Sequence, residues 1–290
     1  MKNTYFIIFL LFVLSPIHGQ EDKRIFSDTR VINIHSTETL KKGMLDIRIG
    51  HRFGDIGDGW STLYGLETAA DVFIGGDYGI TDNLMVGVSR TKGSSSSLKM
   101  LINPYLKWKF LDENKRNHPF SASIVGEVSI STMPKSDDEG SLSNFSDFQS
   151  RLIYCSQLLL AKRLGNRLSL QLSGSYIHRN IIFDYDTSDN FFVGLAGRLK
   201  LSKVIAFIVD FNLPLNGQQS PFDNSQDDSN EPYYSPLGFG FEFDTGGHVF
   251  QVNVVNSRGI AQTDYLPNTK SNWADGEFRL GFTISRKFKI

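Results

Sequence analysis

The closing stretch of the chain, residues 276–290, constrains the fold more than any other segment, because its side chains alternate between two faces over its whole length. Alternation with a period of two predicts a β-strand, and this run is far longer than an ordinary strand of about five or six residues. One face carries Phe278, Leu280, Phe282, Ile284, Phe288 and Ile290, and the other carries Arg279, Gly281, Thr283, Ser285, Lys287 and Lys289. Such a strand is typical of a tilted transmembrane strand. The alternative is a long strand in a soluble β-sandwich.

The amino terminus has the three parts of a secretory signal peptide. Lys2 is followed by an apolar run at 5–14 and then by Ser15, Pro16 and the small Gly19. We therefore predict that residues 1–19 are a cleaved signal peptide and that the protein is exported. The formal net charge of -1 shows no basic excess, so the composition gives no indication of a nucleic-acid partner. A single cysteine, Cys155, excludes an intramolecular disulfide.

From residue 42 onward, alternating stretches of about ten residues repeat, which is the sequence signature of a transmembrane barrel. We predict three regions: the signal peptide at 1–19, a periplasmic lead-in at 20–41 that is tucked at least partly into the barrel or lies outside it, and an outer-membrane barrel at 42–290. The predicted strands are 43–53, 70–79, 84–91, 98–110, 119–131, 148–161, 168–178, 190–200, 204–213, 236–244, 248–257 and 276–290. The predicted fold is all-β: a transmembrane antiparallel up-and-down β-barrel of about twelve strands.

Connection lengths support the barrel over the sandwich. Short and long connections alternate along the chain, so that with both termini in the periplasm every tight turn falls on the periplasmic side and every long loop outside. Bacterial outer-membrane barrels sort their connections in this way and have an even number of strands. A soluble sandwich has no physical reason to do so. The sequence therefore predicts a Gram-negative outer-membrane location.

The register of the predicted strands separates a lipid face from a luminal face. The apolar face holds Leu45, Ile124, Leu158, Leu170, Leu199, Val209, Phe241, Val252 and Phe282. The candidate lumen-lining residues are Asp46, Arg48, Arg52, Glu127, Arg198, Asp210, Glu242 and Arg279. A charge facing lipid at the bilayer centre costs about 2–4 kcal/mol, which favours this assignment. Arg286 breaks the alternation, but it lies near the periplasmic end, where that cost is small.

Several segments, densest at the two ends of the mature chain, resemble the outer-membrane β-barrel family known as domain of unknown function 5777. They are residues 31–39 (VINIHSTET), 42–43 (KG), 51–54 (HRFG), 77–84 (DYGITDNL), 247–252 (GHVFQV), 256–259 (NSRG) and 281–288 (GFTISRKF). Thr283 stands where the family pattern leads us to expect Asn. The resemblance covers nearly all of the mature chain and implies a barrel in the outer membrane, but no activity.

The luminal charges leave two interpretations open. They line an aqueous path and set its selectivity, or they pair with one another and close a barrel of intermediate width. Arg52 is either a polar group at the pore mouth or a hydrogen-bonded anchor between strand and loop. His35 and Glu38 belong either to a small plug or to caps within the lead-in.

No motif in the sequence points to catalysis, so we expect a protein that is not an enzyme and has no catalytic, cofactor or metal site. His178 and His248 are candidate general bases by residue type, but no motif marks a serine nucleophile near either of them. The acidic loops (Asp137, Asp138 and Glu139; Asp223, Asp227, Asp228 and Glu231) lack EF-hand spacing, and solvated loop tips are the simpler interpretation. We predict passage or binding of a small solute, with outer-membrane lipid as the other partner. The alternatives are a closed structural or partner-binding barrel, with or without a periplasmic protein as its partner, and a lipid-modifying enzyme.

Overall fold

Twelve antiparallel strands form a closed barrel in the part of the chain that the structure describes. The computed structural model describes residues 24–93, 98–115, 118–183, 186–217, 220–221 and 233–290. The predicted signal peptide lies outside these residues. The wall strands are β3 (Met44–Asp55), β4 (Ala69–Gly79), β5 (Leu84–Gly93), β6 (Met100–Leu111), β7 (Ser121–Ser131), β8 (Leu152–Leu164), β9 (Leu168–Arg179), β10 (Asp189–Lys200), β11 (Ile205–Pro214), β12 (Leu237–Asp244), β13 (His248–Val255) and β14 (Arg279–Lys289). This confirms the predicted fold.

Each wall strand pairs with the strands before and after it in the chain, and β14 pairs with β3 to close the barrel. Along this seam Phe282 lies opposite His51 and Ser285 lies opposite Arg48. One end of the barrel, called here the turn end, holds the connections at 80–83, 112–120, 165–167, 201–204 and 245–247. The other end, called the loop end, is where β3 leads to β4, β5 to β6, β7 to β8, β9 to β10, β11 to β12 and β13 to β14. In barrels of this class the short turns are periplasmic.

Alternation along the strands determines which side chains meet lipid. In β3, for example, Asp46 and Arg48 are buried in the lumen, whereas Ile47 and Ile49 are exposed on the outside. The same outward face carries the exposed side chains Ile74, Val88, Leu106, Trp108, Ile124, Leu158, Leu170, Leu172, Leu195, Phe241, Val252 and Ile284. An apolar band around the wall with polar groups inside is the arrangement that a bilayer requires. Among the described residues, no helix is long and apolar enough to cross a membrane.

The sixth predicted strand differs most from the structure. It was expected at 148–161, but β8 begins at Leu152 and ends at Leu164, after a short 3₁₀ helix at Gln149–Arg151. The ladder continues past the expected end because Leu164 still pairs with Leu168 across a three-residue turn. Lys162 and Arg163 lie beyond the predicted end of the strand, but charged residues are accommodated in a strand near the membrane interface.

The last long connection, 256–278, was predicted as one of the outer loops, and its first part, 256–269, folds into the lumen, whereas 273–277 are exposed. Its helix α1 (Gln262–Asn268) is buried along its whole length. Tyr265 and Leu266 pack against Ile177 and Phe192 on the inner wall. This segment, residues 256–278, is called the loop insert below. It is joined to the wall at both ends, by β13 and by β14.

A second segment, residues 24–43, occupies the lumen from the turn end and is called the terminal insert below. It contains a two-stranded hairpin, β1 (Arg30–Val31) and β2 (Ile34–His35), with Ile32 in a left-handed conformation in the turn. Every residue from Ile25 to Glu38 is buried. The terminal insert is joined covalently to the barrel wall only at β3.

Candidate functional site

The terminal insert is fixed near the barrel seam by a buried ion pair. The guanidinium of Arg48 on β3 donates two hydrogen bonds to the carboxylate of Asp28, at 2.9 and 2.6 Å. Arg48 also lies 3.2 Å from Asp46 of its own strand. From the other side of the seam, Lys287 on β14 donates to the carbonyl oxygen of Ser27 at 2.9 Å. Two-point contact between guanidinium and carboxylate is strong and directional, so it fixes the position of the insert.

Two lysines on β6 bind the same insert farther around the wall. The ammonium of Lys107, fully buried, donates to the carbonyl oxygens of Thr29, Ser36 and Glu38 at 2.9–3.1 Å. Lys109 lies 2.8 Å from the Glu38 carboxylate. A buried ammonium is stable only when its donors are satisfied, and here backbone oxygens of the insert provide that compensation. Glu38 is therefore held within the lumen and accepts from Ile25 N as well.

The hairpin turn of the terminal insert is bound by side chains of β11 and β3. Asp210 on β11 accepts hydrogen bonds from the backbone N–H groups of Asn33 and Ile34, at 3.3 and 3.0 Å. Arg52 on β3 donates to the side-chain oxygens of Asn33 and Asn253. Arg52 thus bridges the seam and the insert. The space it needs is left by Gly281 on β14, where a Cβ atom would lie 1.9 Å from the Arg52 guanidinium.

Apolar contacts between the terminal insert and the wall also hold the insert in place. Ile25, Phe26, Val31, Ile32 and Ile34 form a cluster with Ala161, Ala196, Ile208 and Val255 of the wall. Two inward-facing glycines of the wall make room for it. A Cβ atom at Gly194 would lie 3.2 Å from Ile34, and one at Gly238 would lie 3.3 Å from Ile32. The insert is therefore held both by charge and by close packing.

The two inserts contact each other through Gln262 at the start of α1. Its amide donates to the carbonyl oxygen of Asn33 at 2.8 Å, and its oxygen accepts from Arg30 at 3.1 Å. Asn33 also donates to Ser257 at 3.3 Å. The loop insert is tied separately to the wall, since Asp71 accepts from Ile260 N at 3.0 Å. Together the two inserts fill the middle of the lumen.

The remaining candidate lumen-lining residues face inward, but each contacts a different partner. Glu127 lies 3.7 Å from the ring of His35 in the terminal insert. Arg198 donates to Glu242 at 2.7 Å, near the turn end. Arg279 lies 3.0 Å from Asp55, at the loop end. The structure therefore brings Asp46, Arg48, Arg52 and Asp210 to the terminal insert, whereas Arg198 and Glu242 pair on the wall and Arg279 supports the loop insert.

Charge states within the terminal insert follow from its surroundings. Burial acts to raise the pKa of Asp28, but the adjacent Arg48 guanidinium outweighs it and lowers the pKa to about 2. Burial lowers the pKa of the His35 imidazole well below its ordinary value, and the positive charges of Arg30, Lys107 and Arg48 act in the same direction. His35 is therefore neutral at pH 7. Its approach to Glu127 is a polar contact between a neutral ring and a carboxyl group, not an ion pair.

The sequence interpretation did not select Asp28, Asn33, Lys107, Lys109 and Gln262, although they carry much of this network. A signal was present for the lysines. In residues 107–110, KWKF, the lysines alternate with Trp108 and Phe110, which places both ammonium groups in the lumen. The partners of the lysines lie about 70 residues away in the chain, in a segment without periodicity, so no local pattern indicated them.

The residues considered for other chemistry lie apart from this network. His51 faces outward and packs its ring against Phe53 and Phe282. His178 is at the loop end, 2.8 Å from Asp189, whereas His248 is at the turn end beside Phe250. Among the described residues, no group of three or more His, Cys, Asp or Glu side chains could hold a metal ion. The second acidic loop, with Asp223, Asp227, Asp228 and Glu231, lies outside the described residues.

Comparison with known proteins identifies the class. A family model described as a membrane-bound β-barrel domain, DUF5777, matches residues 26–288. The chain therefore belongs to this family, as its sequence segments predicted. The matched range includes most of the terminal insert as well as the wall.

Solved structures share the fold at low sequence identity. A KdgM porin in complex with disordered oligogalacturonate is 9% identical, with a TM-score of 0.50, and the match covers 84% of this chain and 99% of that one. An outer membrane channel from Pseudomonas putida F1 is 16% identical, with a TM-score of 0.47, covering 87% and 98%. Omp33 of Acinetobacter baumannii is 9% identical, with a TM-score of 0.42, covering 85% and 99%. A search of curated protein sequences gave no match. The protein is thus a membrane-bound barrel of the outer-membrane type.

Proposed function

We propose that the protein is a non-enzymatic outer-membrane channel for a small anionic solute, closed at rest by the terminal insert. The observation that carries this proposal is the set of three wall cations, on β3 and β6, that contact the insert. Arg48, Lys107 and Lys109 belong to the wall, whereas the carboxylates of Asp28 and Glu38 belong to the insert. When the insert withdraws, the carboxylates leave with it and the cations stay.

The class of solute follows from the charged groups that stay in the wall when the insert withdraws. Withdrawal of the insert removes Asp28 and Glu38 together with Arg30, and it leaves Arg48, Lys107 and Lys109 in the wall without the insert groups that they contact, with Asp46 still beside Arg48. Fixed cations along a pore favour anions. The carboxylates of the insert occupy the positions that carboxylate or phosphate groups of a solute would take, because guanidinium and ammonium groups bind these anions in the same geometry.

The test is single-channel conductance of the refolded mature protein in a planar bilayer, under a KCl gradient that reports ion selectivity. The wild-type protein should be closed with rare openings, and Asp28→Ala should open in frequent ohmic steps that select anions. Arg48→Ala should also open but with weaker anion selectivity, because it removes a wall cation. Asp137→Ala, in an exposed loop, is the matched control and should behave as wild type.

A closed structural or partner-binding barrel is the second candidate, favoured by the extent to which the two inserts fill the lumen with buried contacts. The same experiment separates the two. If Asp28→Ala is folded and inserted, and its terminal insert exchanges amide hydrogens freely, yet no current flows, the channel proposal is wrong. Cation-selective openings would support a channel but would contradict the proposal that its solute is anionic.

A further inference from the structure

A groove of about 630 Å³ crosses the outer wall over β8–β11, in the half of the barrel nearest the turn end. It is lined almost entirely by apolar side chains, including Leu170, Leu172, Leu195, Val209 and Phe211. Its volume lies within the range of about 300–1,000 Å³ typical of small-molecule sites. The groove faces the membrane, and three of its lining residues, Ala161, Gln171 and Ala196, also contact the terminal insert from the luminal side.

The register of the strands explains why the wall is indented there. Lys162, Leu170, Gly197 and Val209 lie side by side across β8, β9, β10 and β11. Gly197 therefore lowers the surface of the wall between two branched side chains, and the fit around it is close. A Cβ atom at this position would lie 3.0 Å from Val209 Cγ1 and 3.6 Å from Leu170 Cδ2. The next row toward the membrane centre is filled by Leu160, Leu172, Leu195 and Phe211, which form the upper part of the groove.

The groove lies within one leaflet of a bilayer. On β11 it is lined by Val209 and Phe211, and Phe211 is six residues beyond the first strand residue, Ile205. At a rise of about 3.3 Å per residue and a strand tilt of about 40°, Phe211 lies roughly 15 Å from the turn end of its strand along the membrane normal. The hydrocarbon core is about 30 Å thick, so the groove stays within the half of the bilayer at the turn end.

Basic side chains stand at the membrane-interface end of the groove. Lys162 lines it, and Arg167 and Lys203 are exposed in the two adjacent turns. Within the described ranges, no ion pair involves these three residues. The nearby acids are engaged elsewhere, since Glu113 lies 3.9 Å from Arg163 and Asp244 lies 3.8 Å from Arg24. A long lysine side chain can lie along apolar surface and place its ammonium group at the interface.

We propose that this groove is a binding site for one anionic phospholipid of the periplasmic leaflet, with an acyl chain over Gly197 and the phosphate beside Lys162 and Arg167. The apolar part takes the chain because it offers a concave surface at the correct depth. The basic part selects an anionic headgroup over a zwitterionic one, because the three cations have no ion-pair partner among the described residues. Lipid thus occupies a defined site on this wall in addition to the general annulus.

Native mass spectrometry of the detergent-solubilised full mature chain tests this proposal, with phosphatidylglycerol and phosphatidylethanolamine of identical acyl chains as probes. The wild-type protein should retain one phosphatidylglycerol at least about fivefold more than phosphatidylethanolamine after collisional activation. Lys162→Gln with Arg167→Gln should abolish the headgroup preference. Gly197→Leu should raise this part of the wall surface and reduce retention of both lipids.

Gly126→Leu is the matched control, because Gly126 also faces outward and has open space around it. It should leave lipid retention unchanged. Equal retention of the two lipids by the wild-type protein would overturn the proposal, as would unchanged retention in Gly197→Leu. Dimers of the wild-type chain that disappear in Gly197→Leu would overturn it too, because a second copy would then occupy the groove. If Gly197→Leu does not fold, the charge variant alone decides.

Discussion

The two inserts fill the same lumen but are held in different ways. The terminal insert is joined to the wall only at β3 and is held by charged contacts with Arg48, Lys107 and Lys109 in addition to apolar packing. The loop insert is joined to the wall at both ends, and its helix is held by packing against Ile177 and Phe192. A segment with one attachment can withdraw along the barrel axis without strain. A segment with two attachments must rearrange within the lumen.

The difference teaches which insert is suited to gating. Ion pairs between an insert and its wall can be replaced by ions or by a charged solute, whereas buried apolar packing has no such substitute. The terminal insert therefore has the features of a removable closure, and the loop insert those of a fixed constriction. The following variants test this distinction, in decreasing order of expected effect.

Of the three variants, Asp28→Ala should produce the largest difference in hydrogen-exchange protection between the two inserts. It leaves Arg48 buried beside Asp46 alone, and breaking a buried pair in this way costs about 3–5 kcal/mol. Hydrogen exchange followed by mass spectrometry should show faster exchange in residues 25–41, with α1 still protected. Asp28→Ala with Arg48→Met is the control and should be less destabilised, because no unpaired charge remains. Equal loss of protection in both inserts would refute the distinction.

Lys107→Met should have an intermediate effect. The variant removes a charged donor from three backbone oxygens, and one hydrogen bond to a charged group contributes about 1.5–3 kcal/mol. Because all three acceptors belong to the terminal insert, exchange should increase there and not in the loop insert. Lys99→Met, at an exposed position just before the same strand, is the control. An unchanged exchange pattern in Lys107→Met would show that packing alone holds the insert.

Gln262→Ala should have the smallest effect and tests whether the inserts are coupled. It removes the contacts of α1 with Asn33 and Arg30, which we expect to contribute about 0.5–1.5 kcal/mol each at most. In a double-mutant cycle with Asp28→Ala, the free energies of insert opening should be less than additive, because the first change already breaks the contact. Strict additivity would mean that the inserts open independently.

The wall was predictable from the sequence because the membrane imposes its pattern locally. Period-two alternation identified all twelve strands, and the inward direction of Asp46, Arg48 and Glu242 followed from the cost of charge in lipid. The predicted sixth strand ended at residue 161, three residues before the end of β8, because the charged residues that follow break the apolar pattern. Alternation describes the two sides of a strand and carries no information about what lies inside the barrel.

The contents of the lumen were accordingly the least predictable part. Residues 256–278 resemble an ordinary polar loop, and the inward position of 256–269 depends on contacts such as that of Tyr265 with the inner wall. The terminal insert lacks periodicity for the same reason, since its backbone groups are satisfied by wall side chains rather than by a regular ladder. Gln171, for example, donates to the carbonyl oxygen of His35 at 2.8 Å.

The seam between β3 and β14 has a further consequence for assembly. These strands are the first and last of the wall, so their pairing brings together residues more than 200 positions apart and is entropically the most demanding step. Residues 27 and 28 contact both sides of this seam, through Arg48 on one strand and Lys287 on the other. In the closed barrel the terminal insert therefore connects the first and last strands of the sheet from inside, in addition to the hydrogen bonds between those strands.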